Sequence, residues 1–97
     1  MNNKLKDENM ENLMRAVLCL QTPEECSNFF EDLCTVSELK SMSLRLAVAI
    51  MLRRGDVYTD IAAKTGASTA TISRVSRCLS YGADGYNTVL ERLEQQK

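Results

Sequence analysis

A chain of 97 residues, 44% of them apolar, 5% aromatic and 26% charged, has the size and make-up of one globular domain rather than a disordered tail. It contains no run of 18 apolar residues, which excludes a membrane-spanning helix, and its polar start lacks the features of a secretory signal, so a cytoplasmic location is expected. The net charge of −1 is unevenly spread: Lys and Arg number three against seven Asp and Glu in residues 1–36, seven against three in 37–80, and two against three in 81–97.

In chain order, "ENLMRAVLCL" sets Leu13, Met14, Val17 and Leu18 at helical spacing and predicts a first helix over about Asn9–Gln21. "TPEE" opens a second, with Thr22 as cap, Pro23 in the first turn, Glu25 closing a capping box, and Phe29, Phe30 and Leu33 along one side. "TVSE" repeats the signal, with Thr35 as cap and Glu38 three residues on. The third helix is apolar around most of its circumference from Leu46 to Leu52 and must be covered on most sides. A chain this short has trouble covering it while also hiding Leu13, Val17, Phe29 and Phe30, which predicts a homodimer formed through residues 9–54. Arg53 and Arg54 suit the negative end of that helix, and Gly55 ends it.

Residues 58–80 have the layout of a helix-turn-helix. Ile61 and Ala62 face inward on its first helix, Gly66 supplies the turn, Ala67 packs beneath it, and Ser68 caps the second helix. Ile72, Val75 and Leu79 form the inner face of that second helix. Thr65 stands where an apolar residue is expected. On the outer face, Ala70, Ser73, Arg74 and Arg77 cluster, with Thr69 and Thr71 on the flanks and Lys64 nearby. Short side chains let a helix descend into the major groove. Hydroxyls bond to base edges or phosphates, a methyl meets thymine, and arginine meets guanine or phosphate. An exposed face with only a structural role favours Glu, Lys and Gln, so Ser68, Thr69, Thr71 and Ser73 reduce helix propensity for another reason. A bland solvated face would carry the same excess of positive charge. Beyond "YGADG", Asp84 is a candidate cap for a last helix over 84–95, with Tyr86, Val89, Leu90 and Leu93 as its apolar stripe.

"GASTATISRVSRCL" resembles the reading helix of the tryptophan repressor family, and the likeness extends upstream through "LCTVSELKSMSLRLAVAIMLRRG". The whole chain resembles the Trp-repressor-related YerC/YecD group. The resemblance implies an all-α, six-helix, intertwined homodimer with a helix-turn-helix in each subunit. The whole of 1–97 would form one such domain. It also implies a cytoplasmic regulator of transcription, a repressor, that binds double-stranded DNA through Ser68, Thr69, Ala70, Thr71, Ser73, Arg74, Arg77 and Lys64. The family's corepressor pocket carries over onto Thr35, Arg45 and Arg74. The glycine that leaves room there for the indole ring is Val75 here, so tryptophan is not expected to bind, and no cofactor is expected. Another small-molecule effector stays open, as does a salt bridge or phosphate contact for Arg45.

Two other function classes compete. A helical interaction module that keeps this fold without binding DNA would suit the low net charge. An enzyme is disfavoured by the lack of histidine, of a Gly-rich phosphate loop and of a recognisable carboxylate pair. Cys19, Cys26, Cys34 and Cys78 form no C-x-x-C pair and are expected as reduced, small apolar side chains rather than metal ligands.

Overall fold

A computed structural model describes residues 6–96; residues 1–5, the beginning of the polar N-terminal stretch, and residue 97 lie outside it. The described residues form six helices: α1 (Glu8–Leu18), α2 (Pro23–Leu33), α3 (Val36–Arg54), α4 (Tyr58–Thr65), α5 (Thr69–Tyr81) and α6 (Gly85–Gln95). Among them, no helix is long and apolar enough to cross a membrane. The chain divides into two compact units, one ending at Leu39 and one beginning at Lys40.

The first unit is built from capped helices. Asp7 accepts from the Met10 N–H at 2.7 Å and starts α1. That helix ends at Leu18, earlier than its apolar spacing predicts. The reason lies in the next cap: the Gln21 N–H donates to Glu25 Oε1 at 2.9 Å, outside any helix ladder. Thr22 Oγ1 accepts from the Glu25 N–H at 3.1 Å, as expected, but the Glu25 carboxylate holds Gln21 instead of Thr22. The box at α3 is complete. Thr35 N–H donates to Glu38 Oε1 at 2.8 Å, and Glu38 N–H donates to Thr35 Oγ1 at 3.1 Å. The backbone N–H of Thr35, and secondarily its side chain, hold the Glu38 carboxyl below its ordinary range.

Neither α1 nor α2 has a buried residue. Phe29 and Phe30 meet edge to face at 5.6 Å, yet Leu18 is 84% exposed, and Met14 and Leu33 are exposed as well. Two amphipathic helices are thus formed and capped with their apolar faces only partly covered.

In the second unit the core is Val48, Ala49, Ile61, Ala67, Ile72, Val75 and Leu90, with Leu44, Leu46, Met51, Leu52, Ala62, Leu79 and Tyr86 packed around it. Each fully buried Ile or Val contributes roughly 1.5–3 kcal/mol relative to exposure. The apolar girth of α3 is only partly used: Val48 and Ala49 are buried, while Met42 and Ile50 remain exposed. The helix ends in a Schellman turn, in which Gly55 (φ 94°) donates to Leu52 O and Asp56 N–H donates to Met51 O, both at 3.0 Å.

The two arginines before that turn do more than face the helix end. Arg53 Nε reaches Glu94 Oε1 on α6 at 2.7 Å, and Arg54 Nη2 reaches Asp56 Oδ2 at 2.6 Å. The guanidinium of Arg54 holds the Asp56 carboxyl below its ordinary range.

The start of α6 departs from the expected cap. Asp84 is at the N-cap position in the left-handed region (φ 68°), but its side chain makes no cap bond to the helix backbone. Its carboxylate instead accepts from Asn87 Nδ2 at 2.8 Å, and the same amide nitrogen donates to Leu79 O at 2.9 Å. The predicted stripe of α6 is also divided. Leu90 is buried and Tyr86 half-buried, whereas Val89 and Leu93 lie on a second, exposed side.

Candidate nucleic-acid interface

The α4–α5 pair is organised by its turn. Gly66 adopts the left-handed conformation (φ 74°, ψ 5°) and donates to Ala62 O at 2.9 Å. Thr65, the unexpected polar residue, donates to Ile61 O at 2.7 Å and accepts from the Ala67 N–H at 3.1 Å. Its hydroxyl therefore gives the Ala67 N–H of the turn an acceptor and places its own proton on a helix carbonyl, which an apolar side chain could not do. Ala67 is buried beneath it.

Gly66→Ala is expected to lower stability by about 1–2 kcal/mol, the cost of a left-handed L-residue. Nothing lies within 4 Å of an added Cβ, so the loss is one of backbone conformation alone. Urea denaturation measures it, and Gly66→Asn should recover part of the difference.

Ser68 starts α5. Its hydroxyl accepts from the Thr71 N–H at 3.1 Å and donates to Thr71 Oγ1 at 3.0 Å. Ser68 is thereby engaged within the cap, while Thr71, half-buried, retains its own O–H for another acceptor. Ile72 and Val75 fix the inner face at 0% and 2% exposure. Because both are locked into the core, the helix cannot rotate, and its other side is held outward.

That outer side carries the predicted cluster. Thr69, Ala70, Arg74 and Arg77 are exposed and Ser73 is half-exposed. Ala70, Ser73, Arg74 and Arg77 share one open surface depression of about 550 Å³ with Cys78, Tyr81 and Gly82. Lys64 is exposed on α4. Among the described residues the ion pairs are Arg53–Glu94 and Arg54–Asp56. Arg53 and Arg54, at the end of α3, are thus neutralised within the chain, while Arg74 and Arg77 of α5 have no carboxylate partner among the described residues. Neither those pairings nor the presence of Tyr81 and Cys78 in the depression is evident from the residue pattern. The i, i+4 and i+7 spacing from Ala70 would have reached Tyr81 with one more turn.

The residues carried over to an effector pocket are not gathered in this depression. Arg74 lines it, but Arg45, Val75 and Thr35 do not. Val75 belongs to the core, and the Thr35 hydroxyl is an acceptor in the α3 cap. Arg45 is half-buried and has no carboxylate partner among the described residues. All four cysteines are free thiols, with Cys19 exposed.

Comparison with known proteins adds a consistent picture. The family model of the Trp repressor protein matches residues 8–94. The Bacillus subtilis (strain 168) protein called "Uncharacterized protein YerC" is 50% identical over 92 residues, covering 95% of this chain and 88% of its own length. A crystal structure of a TrpR-like protein from Eubacterium eligens ATCC 27750 superposes with a TM-score of 0.92 at 57% identity, covering 96% of each chain. A candidate Trp repressor from Staphylococcus aureus gives a TM-score of 0.89 at 48% identity, covering 94% of this chain and 91% of its own. The six-helix order described above is thus a Trp-repressor-like fold.

Proposed function

The chain belongs to the Trp repressor family, and from that premise we propose that it is a cytoplasmic, sequence-specific DNA-binding regulator of transcription, a repressor, acting as a homodimer. The observation that carries this reading is the outer face of α5. It presents Ala70, Ser73, Arg74 and Arg77 along one open depression, with no acidic residue lining it. Ser68, Thr69 and Thr71 border that face, and Lys64 is exposed on α4. Small side chains admit the helix to the major groove, and the two arginines supply charge-assisted bonds to guanine or phosphate.

The dimer rests on uncovered apolar surface. Helices α1 and α2 bury no residue, and α3 leaves Met42 and Ile50 exposed. A second copy offers the same unsatisfied faces, and a two-fold pair is the most common closed solution. We read residues 9–54 as the dimerisation part, 58–80 as the DNA-reading head and 84–95 as the closing helix of a single functional domain. Two heads would address half-sites about 34 Å apart. Tryptophan is not its effector in this reading, because the core holds Val75 where an indole would need space.

Selection of bound sequences from a random duplex pool, at physiological salt with and without tryptophan, tests the reading. Palindromic enrichment is expected, unchanged by tryptophan, with affinity falling steeply as salt rises because phosphate-bound counterions are released. Absence of enrichment together with salt-insensitive behaviour would assign the chain to helical protein interaction instead. Sedimentation at micromolar concentration checks the assembly: a stably folded monomer would contradict the dimer.

A further inference from the structure

Tyr81 is the last residue of α5 and is 87% exposed, more than any other large apolar or aromatic side chain of the described residues. It contributes little to the core of this chain. It nevertheless lines the same depression as Ala70, Ser73, Arg74 and Arg77. With 3.6 residues per turn, Tyr81 lies within about 20° of Ala70 around the helix axis and about 16 Å further along it. The phenol therefore continues the outer face of α5 by one turn beyond Arg77.

That distance decides what it can touch. The major groove is about 12 Å wide, and a reading helix presents its N-terminal part to base edges. With α5 laid across the groove, a side chain about 16 Å beyond Ala70 would lie past the base edges, level with the sugar–phosphate ridge. Beyond Arg77, the other groups lining this end of the depression are poor donors. Gly82 has its N–H committed to Cys78 O at 3.0 Å, and a thiol such as that of Cys78 donates weakly. The Tyr81 hydroxyl is the strong neutral donor at this end of the depression. Gly82 also leaves the ridge free of a side chain: an added Cβ would stand 2.5 Å from Cys78 O.

We propose that Tyr81 is a DNA-backbone contact, its hydroxyl donating to a phosphate oxygen where the C-terminal end of α5 leaves the major groove. The inference rests on the DNA-binding reading of the same face. It assigns Tyr81 an anchoring role that is independent of base sequence, since phosphate contacts fix position and carry no base information.

The test compares wild type, Tyr81→Phe, Tyr81→Ala and Arg74→Ala on two probes, the duplex recovered by selection and a short random-sequence duplex pool, over a salt series. Tyr81→Phe is expected to weaken binding several-fold and equally on both probes, with an unchanged salt slope because no cation is lost. Tyr81→Ala should be at least as weak. If Tyr81→Phe binds like wild type while Arg74→Ala is impaired, this inference fails and the DNA reading stands. If Arg74→Ala is also unimpaired, both fail. A Tyr81→Ala chain that sediments as a monomer, where wild type is a dimer, would give the ring to the subunit contact and overturn the proposal.

Discussion

Ile72→Asp is expected to abolish cooperative folding of the α3–α6 unit. Ile72 is fully buried, among Val48, Ala49, Ile61, Val75 and Leu90. Among the described residues no buried polar or charged side chain exists in this core, so a carboxylate there finds no partner. An uncompensated buried charge costs about 3–5 kcal/mol, and the lost apolar burial adds to that. Whole domains have only about 5–15 kcal/mol of net stability. Circular dichroism against urea should therefore show the helical signal lost or its midpoint near zero denaturant. The pH response identifies the cause. Burial raises the folded-state pKa of the new carboxyl above its unfolded value, so any residual stability should be greatest in acid and fall as pH rises through that raised value. Ile72→Val, which leaves a small void and no charge, should cost only about 0.5–1.5 kcal/mol.

Arg74→Ala and Arg77→Ala should do the opposite, weakening DNA binding while leaving the fold intact. Both side chains are exposed and unpaired within the described chain, and alanine is the better helix former. Each substitution is expected to cost about 1–3 kcal/mol of binding where the arginine meets a base. That is up to about two orders of magnitude in affinity. Where it meets a phosphate instead, the loss should be uniform across sequences and the slope of log affinity against log salt should shrink by about 1. Measuring both variants on specific and random duplexes over a salt series separates the two roles. Wild-type binding by both, with an unchanged unfolding midpoint, would show that the outer face of α5 is not the contact surface.

Most of this layout is legible in the residues themselves. Gly66, Ser68 and the Ile72/Val75 pair identify the turn, the cap and the inner face of α5 because each answers a local demand: a left-handed backbone, an orphan N–H, an apolar neighbour. Thr35 and Glu38 are legible for the same reason. What escapes notice depends on distant partners. The Arg53–Glu94 pair spans 41 positions, and Asn87 bonds Leu79 eight residues away. No periodicity encodes such meetings. Thr65 is a different case. Its spacing asks for an apolar side chain, but the turn leaves the Ala67 N–H outside the helix ladder, and the Thr65 hydroxyl accepts it while donating to Ile61 O. The end of α1 is misplaced because apolar spacing continues past Leu18, while Glu25 has already taken the Gln21 N–H.

The amide of Asn87 grips the carbonyl of Leu79, close to where α5 ends, while the capping hydroxyl and Gly66 secure its beginning. A rod clamped at both extremities keeps its bearing when it is struck in the middle. Little orientational freedom remains to be frozen when it seats against a target, so complex formation forfeits less entropy. Such stiffness also sets a limit: a target of slightly different width must itself deform to be accepted, and the energy of that deformation becomes a means of discrimination.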